Sequence, residues 1–400
     1  MYLELPKKLK VLGDMATNLS VEMLRPISRK YDLAEHEYPK ELDLVASMLD
    51  GMNAGEGGAG VGADQSKQKK EDNSGVRNGA NMAACVGIQG FCWGDVGLLL
   101  TLPRQGLGNA AIGAVANEEQ SKRFQGKWAA MAITEPGTGS DSANISTTAK
   151  QDGDYYVLNG EKIYVTAGSR ADIIVVWATL DKNIGRAAIK SFAVERGTPG
   201  MEVTRLEHKL GIKASDTAAI SFSDCRVHKS NLLGNPEIDT KKGFGGVMQT
   251  FDNTRPLVAA MAVGVAKAAL DRTKELLRDY TQLDYSAPIN SASAAEAELY
   301  RMEADWEAAR LLTLQAAWMA DNGKPNSMEA SMAKAKAGRS CNTITLKCVE
   351  LCSALGYGED ELLEKWCRDS KILDIFEGTQ QIQQLIVARR LLDLSSTELK

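Results

Sequence analysis

Three short runs of β-branched and aromatic residues in the middle of the chain constrain its fold most strongly. They span residues 155–158, 162–166 and 173–177, and each has the length and composition of a strand. Asn159-Gly160 separates the first two runs, and this dipeptide predicts a two-residue hairpin turn. The sequence therefore predicts an antiparallel β domain from about residue 126 to 240.

Helical periodicity dominates on both sides of these runs. Before them, boundaries at Pro26 and Pro39 separate apolar-periodic stretches; after Gly243, helices are predicted at 256–279, 302–320, 330–355 and 382–392. Because 400 residues are too many for one simple core, this order predicts three domains, at 1–125, 126–240 and 241–400. Residues 52–76, rich in Gly, Asn, Asp and Lys, predict a mobile loop within the first domain.

Composition excludes several classes of function. A net charge of −5 gives no reason to expect nucleic-acid binding, and no apolar run reaches the roughly 18 residues that span a bilayer. The N-terminus does not resemble a secretory signal, and seven cysteines without a CxxC pair predict reduced thiols in a cytoplasmic protein with no metal site. His36, His208 and His228 are isolated in the sequence, and we expect surface or structural roles for them.

Residues 131–141 form the first segment that could carry chemistry. Pro136, Gly137 and Gly139 stiffen a loop whose backbone N–H groups could face an anion, and Thr134 and Ser140 add hydroxyl donors. Taken alone, the segment is more typical of an ordinary turn.

Tyr164 and Thr166 form a second candidate feature. Alternation along a strand places both side chains on one face, where an aromatic ring and a hydroxyl could cover a planar cofactor. Without other evidence, a core strand with a surface threonine explains the pattern better.

Glu377 is the third candidate, since its carboxylate lies between Phe376 and Gly378 in an apolar segment. Apolar surroundings raise the pKa of a carboxyl group, so Glu377 could act as a base toward a weak carbon acid. It could instead be an acidic residue at a helix N-terminus, stabilised by the helix dipole. The segment alone favours this second interpretation.

Together, these segments resemble the acyl-CoA dehydrogenase family over most of the chain, with a weaker match in the N-terminal third. Five signatures recur in the family's order: ITEPGTGSD (133–141), LNGEKIYVT (158–166), GFGGVMQTFDNTRP (243–256), the helix that follows, and IFEGTQQIQ (375–383). The resemblance implies a mainly α fold with a central β domain: an N-terminal helical domain, an antiparallel β domain and a C-terminal four-helix bundle. It also implies FAD bound between the last two domains at a subunit interface.

The resemblance further implies a reaction and its site. Glu377 would remove the α proton of an acyl-CoA thioester while hydride passes from the β carbon to flavin N5, giving a trans-2-enoyl-CoA. Hydrogen bonds from the Glu377 N–H and the flavin ribityl 2′-hydroxyl would polarise the thioester carbonyl. The implied FAD contacts are Met131, Ile133, Thr134, Ser140, Tyr164, Thr166, Thr379 and Gln381. The implied substrate contacts are Ser140, Asp252, Arg255 and Gly378, although Arg255 fits an internal salt bridge equally well.

One subsite departs from the family pattern. In homomeric members a neighbouring subunit holds the FAD pyrophosphate and adenine with an Arg-x-x-Phe-Gly segment and a glutamine. The corresponding positions here are Tyr280, Leu283, Asp284 and Cys352. Either the alignment has shifted in the diverged region after residue 284, or this chain cannot supply the adenine half of the site to a twin. The second interpretation predicts the base-bearing subunit of an α2β2 heteromer; a homo-oligomer is the alternative.

Two other functions stay open at this point. A flavin oxidase or monooxygenase of the same fold would usually lack the glutamate found at Glu377. A non-catalytic structural subunit of a heteromer would not need Glu377, Thr166 and Ser140 together. The resemblance favours the dehydrogenase, acting in fatty acid or lipid catabolism such as β-oxidation, with an electron-transferring flavoprotein as acceptor.

Overall fold

The computed structural model describes residues 5–53, 79–103, 107–238, 245–279, 283, 291–396 and 398–399, with only the backbone described at 49–53 and 245–253. The helices before the sheet are α1 (Lys7–Leu19), α2 (Ser28–Leu33), α3 (Glu41–Asn53), α4 (Ala80–Gly94), α5 (Val96–Leu99), α6 (Leu107–Val115) and α7 (Glu118–Phe124). The loop predicted at 52–76 overlaps the last two residues of α3, and all but its first two residues lie outside the described part of the chain.

A seven-stranded sheet follows these helices. Its strands are β1 (Ala129–Ala132), β2 (Thr148–Asp152), β3 (Tyr155–Thr166), β4 (Ile173–Thr179), β5 (Ile189–Glu195), β6 (Met201–Leu206) and β7 (Thr217–His228). They are ordered β1-β4-β2-β3-β7-β6, with β5 added on β4. The sheet is mixed rather than purely antiparallel, because β4 runs parallel to both β1 and β2.

The hairpin predicted at Asn159-Gly160 is wrong. β3 passes through both residues as one strand, with a register shift against β7 at this point, and the chain reverses instead at Gly153 (φ 58°) between β2 and β3. A Cβ on Gly160 would lie 2.5 Å from Thr147 Oγ1, so close approach of β2 explains this glycine. The Asn159 side chain exchanges hydrogen bonds with Asp224 on β7.

The apolar run of β4 is explained by burial on both faces of the sheet. Ile174 and Val176 pack into a cluster on one face, whereas Ile173, Val175 and Trp177 pack on the other against α6 and α7. A strand covered on both sides shows a continuous apolar run instead of alternation.

Long helices complete the fold: α8 (Gly245–Leu276), α9 (Ala294–Asp321), α10 (Ser327–Tyr357), α11 (Leu363–Leu373) and α12 (Gln380–Leu392). The predicted start of the first one at Pro256 is wrong, because Pro256 lies inside α8. α10 packs against each of the other four helices, and its contact with α8 is the most extensive. α8 also contacts α4. The mainly α fold with a central β domain is thus confirmed, whereas the boundaries at 125 and 240 stay predictions. Among the residues described, no helix is both long and apolar enough to cross a bilayer.

Candidate functional site

Glu377 lies in the loop between α11 and α12, in a left-handed backbone conformation (φ 57°) followed by Gly378 at φ 92°. α12 begins only at Gln380, after Thr379 caps it by accepting a hydrogen bond from the Ile382 N–H. Glu377 therefore precedes the helix and is not an acidic residue of its first turn. A non-glycine residue at positive φ is uncommon, and such strain is concentrated at functional sites.

Two side chains that the sequence did not single out hold this loop. Gln383 Nε2 donates to the carbonyl oxygens of Glu377 and Gly378, at 3.0 Å each, and Lys334 Nζ donates to the Gly378 carbonyl at 2.7 Å. Lys334 is fully buried on α10, between the buried Ala330 and Ala337 on neighbouring turns. A lysine at such a core position could have indicated a functional contact from the sequence, because lysines are rarely buried without a partner.

Opposing effects act on the pKa of the Glu377 carboxyl group. Burial raises its pKa above the ordinary value, while a hydrogen bond from Thr254 Oγ1 (2.7 Å) and the charges of Arg255 and Lys334 oppose that rise. Burial also lowers the pKa of Lys334 to about 8, against the attraction of Asp374 and Glu377. Arg255 on α8 and Lys334 on α10 thus favour the charged form of Glu377, whereas burial favours the neutral form.

Glu377 opens into a largely apolar cleft of about 610 Å³, part of which is open to solvent. The cleft lies between α6, α8 and the ends of β1 and β3. It is lined by Leu100, Leu107, Ala110, Trp128, Ala129, Ala130, Thr166, Ala167, Thr254, Leu257, Val258, Met261, Phe376 and Glu377. The structure thus brings Thr166 and Glu377, which are distant in sequence, to one cavity.

A buried ion pair fixes the loop that follows β1. Lys162 Nζ on β3 lies 2.7 Å from Glu135 Oε1 and donates to the Ile133 carbonyl at 3.0 Å. Burial alone would raise the pKa of Glu135, but Lys162 and hydrogen bonds from Ser146 and Thr147 outweigh it and lower this pKa to about 2. Burial lowers the pKa of Lys162 to about 8, since desolvation outweighs the attraction of Glu135. Both groups are thus charged at neutral pH, and they tie two of the sequence signatures together.

The remaining predicted cofactor residues of the β region lie outside the lining of the cleft. Ile133 is buried in a core cluster, and Met131 packs against the same cluster. Thr134 and the exposed Ser140 lie in the loop after β1. Tyr164 is 61% exposed at a bulge in β3.

The predicted residues of the C-terminal region are also separated. Thr379 serves as the α12 cap, and Gln381 is exposed on that helix. Gly378 adjoins Glu377, and Arg255 is buried within electrostatic reach of it. Asp252 lies on α8, where only the backbone is described.

The residues present fit an FAD site between the sheet and α8. A Cβ on Gly137 or Gly139 would meet no atom within 4 Å, so the backbone of this exposed loop can approach a phosphate closely. Tyr164 and Thr166 flank the buried Val165, and both keep some solvent exposure that a cofactor ring could cover. Thr166 also lines the cleft that contains Glu377.

Comparisons with known proteins agree with this geometry. Residues 130–225 match the family model described as "Acyl-CoA dehydrogenase, middle domain", and residues 241–392 match "Acyl-CoA dehydrogenase, C-terminal domain". The two matches cover the sheet, α8 and the loop that carries Glu377.

Full-length relatives show the same similarity. The chain is 33% identical to the short-chain specific acyl-CoA dehydrogenase of Bos taurus mitochondria, over 97% of this chain and 91% of the relative. It is also 33% identical to a 3-(aryl)acrylate reductase of Clostridium sporogenes, over 96% of this chain and 98% of that protein. The solved structure of butyryl-CoA dehydrogenase from Megasphaera elsdenii superposes with a TM-score of 0.84 at 30% identity, covering 98% of this chain and all of that one.

Proposed function

Since the chain belongs to the acyl-CoA dehydrogenase family, whose members are FAD-dependent enzymes acting on acyl-CoA thioesters, we propose that Glu377 is its catalytic base. The Glu377 carboxylate would remove a proton from the α carbon of the acyl group. Bound FAD supplies the hydride acceptor for the β carbon, so that the product is a trans-2-enoyl-CoA. The observation that carries this proposal is that Glu377 lines an apolar cleft, with the pKa of its carboxyl group raised by burial.

The backbone of Glu377 supports a second role in the same step. Within the described part of the chain, its N–H donates to no protein acceptor, while its carbonyl is held by Gln383. A fixed donor beside the base can bind the thioester oxygen and stabilise the charge that develops on it. Lys334 and Gln383 would keep this donor in place, because both hold carbonyls of the same loop.

The apolar lining of the cleft supports an acyl group as the part that enters it. Leu257, Val258 and Met261 present one helix face of α8 to the cavity, and Phe376 lies beside the base. Because a 3-(aryl)acrylate reductase is also 33% identical to this chain over nearly its whole length, reduction of a 2-enoyl thioester is the second candidate. In that direction protonated Glu377 would donate its proton to the α carbon, and reduced FAD, when bound, would supply the hydride to the β carbon.

Replacement of Glu377 by glutamine tests the proposal. Glu377→Gln keeps the size of the side chain and its hydrogen bond to Thr254, so we expect FAD to stay bound. Flavin bleaching by acyl-CoA should slow by ~10²–10⁴-fold or more, as expected for loss of a catalytic base. Rapid-mixing absorbance measurements with saturated and 2-unsaturated thioesters would check both directions.

Glu359→Gln is the matched control, because Glu359 is an exposed carboxylate after α10. It should reduce at the wild-type rate. Reduction of the Glu377→Gln flavin within a few-fold of wild type would exclude Glu377 as the base.

We further propose that a homologous but non-identical subunit completes the FAD site, as in an α2β2 heteromer. Tyr280 and Asp284 lie outside the described residues, but Leu283 packs against the helical core and Cys352 is 6% exposed within it. The pyrophosphate of FAD carries two negative charges that a bidentate arginine usually holds, and Tyr280 has no charge to offer. The proposed electron acceptor is an electron-transferring flavoprotein, and the proposed setting is cytoplasmic lipid catabolism.

Flavin counting in the native complex tests the subunit proposal independently of the base. We expect about one FAD per two chains with the partner present, and flavin-poor material when the chain is expressed alone. A soluble homo-oligomer with one FAD per chain and full activity would contradict it, and would leave the role of Glu377 unaffected.

A further inference from the structure

Two histidines that are distant in the sequence meet in the structure. His36, in the turn after α2, and His208, between β6 and β7, have ring centroids 5.0 Å apart, although 172 positions separate them in the sequence. Glu35 joins them, with its Oε2 2.9 Å from His208 Nδ1. One potential ligand atom from each of the three residues lies within 4.8 Å of the other two.

His36 is the least satisfied member of this cluster. Both of its ring nitrogens are buried, and neither has a hydrogen-bond partner among the residues that the structure describes. An imidazole nitrogen that has no hydrogen-bond partner keeps its capacity to bind a metal ion.

The surroundings hold the cluster in position without occupying it. Glu35 Oε1 accepts from the Lys209 N–H at 3.0 Å, which leaves Oε2 toward the histidines. Arg170 donates to the His36 carbonyl at 3.1 Å, and its charge lies 3.6 Å from Asp216. The Lys209 ammonium is directed to the Ser215 carbonyl at 2.8 Å. The side-chain donors of both nearby cations are thus directed to backbone carbonyls and Asp216 rather than to Glu35.

The geometry points to a Zn²⁺ site formed by Glu35, His36 and His208. Two imidazoles and one carboxylate are a ligand set that Zn²⁺ favours, with water in the fourth position. Ligand atoms around tetrahedral Zn²⁺ lie roughly 3.3 Å apart, given metal–ligand distances of about 2.0 Å. The widest pair must therefore close by about 1.5 Å, which His208 can provide by rotation because its side chain is 82% exposed. Bound Zn²⁺ would link the helical N-terminal region to the sheet, away from the cleft at Glu377.

Zn²⁺ titration of the purified flavin-loaded protein, with any affinity tag removed, tests this site. Calorimetry should show one Zn²⁺ per chain in wild type. His208→Gln and His36→Asn should weaken binding by ~10–100-fold or more, the range seen when even supporting residues of a metal site are removed. Asparagine is chosen at position 36 because it tolerates the positive φ of His36 (73°).

His228→Gln is the matched control, because His228 is the third histidine and lies exposed at the end of β7. It should bind Zn²⁺ as wild type does. Co²⁺ absorption provides a second readout: nitrogen and oxygen ligands give visible bands without a near-ultraviolet thiolate charge-transfer band.

Unchanged Zn²⁺ affinity in His208→Gln would overturn the proposal. An equal loss of Zn²⁺ affinity in His228→Gln would overturn it as well. So would a dominant thiolate band, because it would assign Zn²⁺ binding to a cysteine. Since His208 is exposed, its variant stays informative even if His36→Asn does not fold.

Discussion

Replacing Lys162 by methionine should destabilise the fold and loosen the loop predicted to hold FAD. The Lys162 and Glu135 side chains are 0% and 2% exposed, and their 2.7 Å contact joins β3 to the loop after β1. Methionine keeps the length of the lysine stem but removes the charge and the donor to the Ile133 carbonyl. Among the described residues, Glu135 would then be a buried carboxylate that accepts hydrogen bonds only from Ser146 and Thr147.

Two lines of reasoning give the size of the effect. Removing one partner of a buried pair typically costs about 3–5 kcal/mol, because the other charge is left uncompensated. Independently, the pKa of Glu135 is lowered from 4.5 to about 2, which corresponds to about 3.5 kcal/mol at roughly 1.4 kcal/mol per pKa unit. The second figure includes the hydrogen bonds from Ser146 and Thr147, so about 3 kcal/mol is the value we expect for Lys162→Met.

The pH dependence follows with a definite sign. A carboxylate whose folded pKa is lowered stabilises the fold above its unfolded pKa, and this contribution is lost as pH falls through the folded value. Wild type should therefore lose stability between about pH 4.5 and pH 2 through Glu135. Lys162→Met should show a smaller loss over that window.

Chemical denaturation and flavin content measure both consequences. Lys162→Met should unfold at lower denaturant concentration and retain less FAD after gel filtration. The double variant Glu135→Gln with Lys162→Met should recover part of the stability, because a neutral pair avoids the uncompensated charge. Lys150→Met is the control, since Lys150 is exposed on the neighbouring strand β2. A loss below about 1 kcal/mol in Lys162→Met, with no recovery in the double variant, would refute this reasoning.

Three further outcomes are expected. Flavin reduction should fall at low pH with a midpoint above the ordinary value for glutamate, because burial raises the pKa of Glu377 and only its deprotonated form is a base; a midpoint at or below the ordinary value would contradict this. Lys334→Met should shift that midpoint to higher pH, because it removes a cation facing Glu377, whereas Lys336→Met on the same helix should not, because Lys336 pairs with Asp305 on α9; identical pH profiles would limit Lys334 to a structural role. Gly378→Ala should cost about 1–3 kcal/mol of stability and slow reduction, because φ is 92° and the new Cβ would lie 2.4 Å from Gln383 Nε2; denaturation and rapid-mixing assays with a wild-type result would show that the loop can relax.

The order of helices and strands could be predicted because the periodicity of apolar residues changes twice along the chain. Strand β4 illustrates the limit of that method. Its apolar run predicts a strand, but only the tertiary structure shows that it runs parallel to β1 and is covered on both faces. Strand direction depends on connections that a single apolar run does not encode.

The errors at Gly160 and Pro256 have physical causes. An Asn-Gly dipeptide can form a hairpin turn, or its glycine can make room for a neighbouring segment within a strand. The sequence does not distinguish the two cases, whereas in the structure Thr147 fills the space beside Gly160. Proline favours a helix start, yet Pro256 lies inside α8, where the helix continues on both sides. Local sequence cannot distinguish these cases, because packing partners from other elements outweigh the local preference.

The candidate base was visible in the sequence only as an acid in an apolar segment, and its chemistry is set by groups far along the chain. Thr254 contributes a hydrogen bond across 123 residues, and Lys334 and Arg255 contribute charge from two other helices. A base must be deprotonated before substrate enters, yet an acyl group that fills an apolar cleft displaces water and raises the pKa of the carboxyl group further. Without the two cations and the hydroxyl, that rise would favour the protonated acid, which cannot accept the α proton. We therefore expect the activity of this site to depend as much on Lys334 and Arg255, which set the charge of Glu377, as on the apolar residues that raise its basicity.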